Sequence, residues 1–504
     1  MEDNAALRAP DRLAAVIIAA FFVGRVAFAY ALGFGIDESY TLAISRSLAL
    51  SYFDHPPLHQ WIAHFAALAF GENGGARLPF VALFAATGWL LYRLTLDLFD
   101  ARAALAALFA LNAAPFFFAS AGTWIVPDGP LLFGLALAAL ALARLFFEPD
   151  GGDARVWRLW LVAGLGLGLA GLSKYIAALT ALGLLAFLVI SPKERRWFGH
   201  PAPYAAGALA ALMAVPVFVW NASHGWASFV FQGARGAASA GLKPIQVVEM
   251  AIGQVLYLSP WLFVPLAAAI VWALRLRRDG RMLFLLCLAA PPIVLFTATP
   301  LWGDRGLPHW TMPGWFFAFP LLGAWVEARA FSLRFLRRYA AASAALLAAL
   351  AAGTVAEART GWLSRYLPAG AADPTLEAFD WGGLRSTPLL QPPPAFVVST
   401  RWSDAGKIAL ALGPRVPVFV ISGDPRGWAY LPGAPGLVGR DGVVILPARD
   451  LPAAGAVLKS FFASLGEARP VTLLRNGAPA VALMAVPAKG LTQPLPPPYP
   501  ARPQ

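Results

Sequence analysis

Apolar stretches long enough to cross a bilayer, which takes about 20 helical residues, recur from residue 11 to about 355 of this 504-residue chain. Eleven stand out: roughly 11–33, 77–98, 102–120, 128–147, 156–172, 175–190, 203–221, 247–273, 281–299, 309–328 and 338–355. Between the first two, Glu38–Leu50 and Leu58–Phe70 read as amphipathic helices lying along a membrane surface. Beyond 355 the long apolar runs stop and Pro and Gly become frequent. Short β-like runs appear there at 395–400 (AFVVST), 416–421 (VPVFVI) and 442–446 (GVVIL). Residues 470–487 read as a hairpin around Asn476-Gly477, and Asp404–Leu412 reads as a helix. The pattern predicts a polytopic α-helical membrane protein of about 11 transmembrane helices over 1–355, with loop helices at 38–70. A small α/β domain follows at 356–490, and the Pro-rich end at 491–504 is expected to be disordered.

Composition agrees. With 59% hydrophobic and 13% charged residues, the chain lies outside the range of soluble domains. Its 18 Trp and 35 Phe suit membrane interfaces and embedded clefts. A single cysteine, Cys287 in an apolar run, excludes a disulfide scaffold. The net charge of +12 is too thinly spread to mean nucleic acid, but it fixes an orientation. With the N-terminus in the cytoplasm, the inner segments hold eighteen basic residues, between 8–12, 93–102, 144–158, 193–196, 275–281 and 329–338. The outer loops hold only Arg46, Arg77, Lys174, Arg235, Lys243 and Arg305. That is the positive-inside bias, and an odd number of spans places everything after 355 outside. The first span lacks a small-residue cleavage site, so it reads as an uncleaved anchor.

Polar residues, costly in a membrane protein, gather on the outer side. Asp37 and Glu38 follow the first span, where a carboxylate can serve as general base or simply cap a helix. Asp128 opens the fourth span after Pro127 and carries the same two readings. His55 lies between Asp54 and Pro56-Pro57. It can meet a phosphate, sit at the interface, or join Asp54 and His59 in holding a divalent metal ion. Lys174, in Ser173–Tyr175, can snorkel or bind phosphate. His224 and His309 neighbour Trp226 and Trp310, whose faces suit sugar rings or interface lipid, and Arg305 beside Asp304 is a cation or an exposed ion pair. The chain has no glycine-rich phosphate loop, Rossmann fingerprint or zinc-protease helix. Its cytoplasmic segments are too short for a nucleotide domain, so a lipid-borne donor fits better than a soluble nucleotide.

The ordered motifs IDESY (36–40), YFDHPPLHQW (52–61), RLPFV (77–81), PDGPLLF (127–133), GLSKY (171–175), WNASHGWASF (220–229), PHWTMPGW (308–315) and DPTLEAFDWGGL (373–384) resemble one enzyme group. It is the bacterial membrane glycosyltransferases of the protein-O-mannosyltransferase-like group, within the GT-C superfamily. These include the lipid A aminoarabinose transferase and lipopolysaccharide galacturonosyltransferases. The resemblance implies a GT-C fold and a catalytic base at Asp37 of the Asp37-Glu38 pair. It also implies a second acid at Asp128 near a sugar. The position before Pro-Pro is a phosphate-holding lysine in the aminoarabinose enzyme. His55 stands there in this chain, which leaves Lys174 as leading phosphate ligand, with Tyr175, His224, Arg305 and His309 as further substrate contacts. The implied reaction is inverting transfer from a polyprenyl-phosphate sugar to an outer-leaflet glycolipid, lipid A or lipopolysaccharide core, or to a secreted protein. A monomer in the bacterial inner membrane, with its site and C-terminal domain in the periplasm, follows. A flippase for a lipid-linked sugar and a membrane scaffold are the competing readings.

Overall fold

The computed structural model describes residues 2–148, 151–235, 241–303, 306–368 and 373–499. All eleven apolar stretches are helical, but they are not eleven straight spans. Among the described residues, seven helices are long and apolar enough to cross a membrane: Ala9–Ala31, Gly74–Leu98, Asp128–Phe147, Asp153–Ser173, Pro201–Ser223, Gly280–Leu301 and Leu333–Thr360. Ala177–Ile190 and Ala318–Ala328 are apolar but shorter.

Two stretches are broken. Ala101–Ala113 meets Pro115–Thr123 at 80°, and Pro244–Leu258 meets Pro260–Arg275 at 107°. Proline explains both, since its ring drives the preceding residue out of the α region. Ala114 is extended (ψ 128°) before Pro115, and Ser259 has φ 68° before Pro260. A hydropathy window averages over such a corner, so 102–120 and 247–273 read as single spans in sequence. The first corner also accounts for Arg25, a buried cation inside the first span. Its guanidinium donates to Phe117 O (3.2 Å), Phe118 O (3.2 Å) and Asn112 Oδ1 (2.9 Å). Backbone at a break in an apolar environment needs partners of this kind.

Helices Asp128–Phe147 and Asp153–Ser173 pack along their length through small residues. A Cβ on Gly134 would lie 2.5 Å from Gly166 O, and one on Gly166 would lie 2.6 Å from Gly134 O. Only glycine permits that approach. Because the second helix returns alongside the first, the residue that opens one and the residue that closes the other fall at the same end.

The chain forms two compact units that do not follow sequence order. One comprises Met1–Ala27, His55–His59 and Leu78–Ala349; the other comprises Phe28–Asp54, Gln60–Arg77 and Leu350–Gln504. The stretch 38–70, assigned by sequence to the membrane part, thus lies mostly with the C-terminal residues. In this second unit β1 (Val397–Ser399) runs parallel to β2 (Val418–Val420) and β3 (Gly442–Pro447). The long β6 (Ala478–Leu491) lies antiparallel to β3, with β4 (Phe462–Leu465) and β5 (Arg469–Arg475) along its other edge. The β5–β6 turn is Asn476-Gly477, both at positive φ. Strand residues alternate between two cores. Val397, Val418 and Ile445 join Ile44 and Ile408 of helices Ile36–Ser45 and Trp402–Leu412; Val398, Phe419 and Val444 join Phe396 and Phe462.

The expected disorder from 491 is corrected through residue 499. Leu495 is buried, and Tyr499 packs on Phe53 with ring centres 4.8 Å apart and donates to Asp424 (3.0 Å). Apolar and aromatic anchors spaced among the prolines hold this stretch down. Residues 500–504 lie outside the described residues.

Candidate functional site

In the first unit, Asp128 and Lys174 are 46 residues apart in sequence and joined in space. Lys174 Nζ donates to both carboxylate oxygens of Asp128, at 2.9 and 3.1 Å, and both residues are buried. The helix pair described above dictates this, with Asp128 opening one helix and Lys174 capping the other. Lys174, a snorkelling or phosphate-binding cation by sequence, is therefore already ion-paired. The pair is neutral as a unit, so an incoming phosphate would share the ammonium with a carboxylate.

His59 joins the same group. Burial pushes its imidazole down to about 3, with Asp128 opposing and Lys174 reinforcing the shift. It is neutral at physiological pH and can offer a hydrogen bond but no charge. The His55 ring lies 5.7 Å from that of His59, edge to face. Two histidines, an acid and a lysine from three separated motifs thus form one polar cluster.

In the second unit, Asp37 and Glu38 occupy the first turn of helix Ile36–Ser45. Glu38 is buried, and Arg77 grips it through Nε (2.7 Å) and Nη2 (2.6 Å). Glu38 also accepts from Gly35 N at 2.9 Å. The other Arg77 protons go to Ala29 O, Leu32 O and Gly33 O at 2.6–2.8 Å. All five guanidinium donors are spent on Glu38 and on the carbonyl end of the first span. Glu38 is therefore corrected from a catalytic candidate to a clamp, since a base so engaged cannot take a proton without leaving Arg77 buried and unpaired. Asp37, one residue earlier, is exposed on the turn that the clamp fixes.

Asp54 is buried and accepts from the Tyr40 hydroxyl and from Arg426 Nη1 (3.2 Å). Gly427 N donates to the same Tyr40 oxygen, and Arg426 lies over Trp402, 4.3 Å from the ring centre. Burial and the Asp54 charge hold the Tyr40 hydroxyl well above its usual range, so it remains a donor. Asp54 thus ties the loop to the C-terminal residues, which corrects its reading as a metal ligand. Among the described residues, no group of three or more His, Cys, Asp or Glu side chains could hold a metal ion.

The remaining candidates have aromatic neighbours. His224 closes helix Pro201–Ser223, stacks on Trp220 (4.2 Å) and meets Trp220 O through Nδ1 at 2.7 Å. Tyr175 packs against Phe229, and His309 against Trp310. Arg305 lies outside the described residues. Sequence reasoning missed Arg77 and Arg426 as partners of the candidate acids, and it considered His59 only as a metal ligand. The position of Arg77 at the start of an apolar run was the available signal.

Residues 54–220 match the family described as dolichyl-phosphate-mannose-protein mannosyltransferase. The lipid A galacturonosyltransferase RgtD of Rhizobium johnstonii is 26% identical over 272 residues, 53% of this chain and 55% of that protein. The chain thus aligns with about half the length of this curated relative. In fold it is similar to ArnT from Cupriavidus metallidurans in the apo state, with a TM-score of 0.63 at 15% identity, covering 95% of this chain and 98% of that one. The same protein bound to undecaprenyl phosphate matches with a TM-score of 0.61 at 15% identity, covering 94% and 97%. The resemblance to GT-C membrane glycosyltransferases therefore stands, and the chain is a polytopic, mostly helical membrane protein.

Proposed function

We propose that this protein is an inverting glycosyltransferase that moves a sugar from a polyprenyl-phosphate donor to an outer-leaflet glycolipid, with lipid A the leading acceptor. The observation that carries the reading is the asymmetric acid pair. Glu38 is locked by Arg77 and Asp37 is left exposed on the turn so fixed. A base must reach an acceptor hydroxyl, and a rigid support costs less reorganisation when it does. Asp37 takes the proton of that hydroxyl, whose oxygen forms a bond to the anomeric carbon. The bond from that carbon to the phosphate oxygen breaks, inverting the centre and releasing polyprenyl phosphate. Charge develops on the departing phosphate, and Lys174, held by Asp128, is the cation assigned to it. Neutral His59 adds a hydrogen bond within that cluster. His55 and Tyr175 are assigned to the donor, and His224 and His309, with their neighbouring tryptophans, to sugar or lipid contacts.

RgtD supports lipid A as acceptor, and undecaprenyl phosphate bound to ArnT supports the donor class. We place the enzyme in the bacterial inner membrane as a monomer, N-terminus inside and residues 356–504 in the periplasm. The test is purified protein in nanodiscs with lipid A and a panel of polyprenyl-phosphate sugars, with and without a chelator. Release of polyprenyl phosphate is followed by mass spectrometry. Wild type should turn over one donor and Asp37→Asn, correctly folded, should lose at least a thousandfold; near-wild-type turnover in the variant sinks the assignment. Loss with chelator would assign a divalent ion to the reaction. The two bent helix pairs favour a second reading, because transporters use broken helices. Movement of the lipid-linked sugar across a vesicle without transfer would decide for a flippase.

A further inference from the structure

A cavity of about 530 Å³ lies wholly within the second unit, where the ends of the first and last apolar helices meet. That volume is in the range of small-molecule sites. Arg359, near the end of Leu333–Thr360, joins the two ends by donating from Nε to Ala31 O at 2.8 Å. The roof is residues 378–382, brought down on Gly33 so closely that a Cβ there would lie 2.2 Å from Ala378 O. Two charged residues in its walls are already ion-paired: Arg77 with Glu38, and Glu72, whose two oxygens accept from Arg46 at 2.7 Å.

The charges left over are unequal. Lys407, Arg359 and Arg385 line the cavity against one acid, Asp380. Lys407 is buried and spends protons on Phe34 O and Phe379 O, leaving one of its three. Arg359 and Arg385 are exposed at the rim, and their described hydrogen bonds use Nε alone, so the paired Nη groups are available. Trp381 also lines the cavity. It is 7% exposed, and its Nε1–H has no hydrogen-bond partner among the described residues. A buried indole N–H without an acceptor is costly, and it adds to the unspent donors of Lys407, Arg359 and Arg385 around one space. The lysine has an ordinary value pushed down to about 8 by burial, with Glu38 and Asp380 opposing, so it is charged at neutral pH.

The setting indicates which anion. Just past Arg359, Trp362, Leu363, Tyr366 and Leu367 are all large, apolar or aromatic, and exposed. Such a run belongs in the interfacial zone of a bilayer. We infer that this cavity binds the phosphate-bearing headgroup of a lipid. Trp381 and Lys407 meet the phosphate from within, while Arg359 and Arg385 clamp it at the rim.

The test uses the full chain in nanodiscs with no sugar donor, so its outcome is separate from that of the transferase reading. Binding of lipid A, of the same lipid stripped of phosphate, and of glucosamine 1-phosphate is measured by native mass spectrometry. We expect phosphorylated lipid A to bind at least tenfold more tightly than the stripped lipid, a comparison that needs no variant. Arg359→Gln/Arg385→Gln and Trp381→Phe should each erase most of that difference, while Arg365→Gln, outside the cavity, should preserve it. Equal binding of the two lipids, or unchanged preference in both cavity variants, overturns the proposal. Glucosamine 1-phosphate binding as tightly as lipid A would reassign the cavity to a soluble anion and overturn it equally.

Discussion

Asp37 and Glu38 are neighbours of the same charge, and the helix turn that carries them exposes one and buries the other. Replacing Glu38 by Gln should leave the Arg77 guanidinium buried without its counter-ion and cost about 3–5 kcal/mol, read as a lowered unfolding midpoint in detergent. Turnover should fall with it, since the turn under Asp37 loosens. The Asp128–Lys174 pair makes a parallel expectation. Lys174→Met should destabilise by about 3–5 kcal/mol, and adding Asp128→Asn should recover part of that loss by removing the stranded charge. His59 contributes through pH. Folded His59 stays neutral down to about pH 3, whereas unfolded histidine takes its proton near 6.5. The unfolded state therefore binds more protons between those limits, and stability falls as pH drops through them. His59→Asn should flatten that fall by up to ~1.4 kcal/mol per pH unit, measured by denaturation across pH 4–6.5. At this scale sequence went half-way. Isolated polar residues beside apolar spans marked Asp37, Asp128, Lys174 and His55, but which of them are paired depends on neighbours that no local pattern contains.

Among the elements, the informative ones are those that depart from straight helices. The corner at Ala114-Pro115 and the buried Arg25 explain each other, one freeing carbonyls and the other occupying them. Arg25→Met should lower stability by about 3 kcal/mol or more, as the Phe117 and Phe118 carbonyls lose a charged donor in an apolar setting. Thermal unfolding against wild type checks it, and an unchanged midpoint would mean that water replaces the guanidinium. Hydropathy found all eleven helical stretches because apolar length is a local property. It could not find the 107° turn at Ser259-Pro260, because one proline in a long apolar run does not say whether the helix tolerates it or breaks.

For the whole molecule, the charge bias along the chain makes an orientation that can be labelled. In a Cys287→Ala background, a membrane-impermeant maleimide should react with Ser464→Cys in intact spheroplasts. It should reach Lys193→Cys only after lysis; the reverse pattern would invert the topology and remove residues 356–504 from the periplasm. The sequence by itself determined the apolar helices and the Asn476-Gly477 hairpin, because periodicity, segment length and turn chemistry are written in consecutive residues. Only the tertiary structure decided that 60–77 pack with 350–504, that Asp54 belongs to Tyr40 and Arg426, and that Glu38 belongs to Arg77, 39 residues on. Those outcomes depend on which buried charge finds which partner, and burial is settled by packing between segments far apart in the chain.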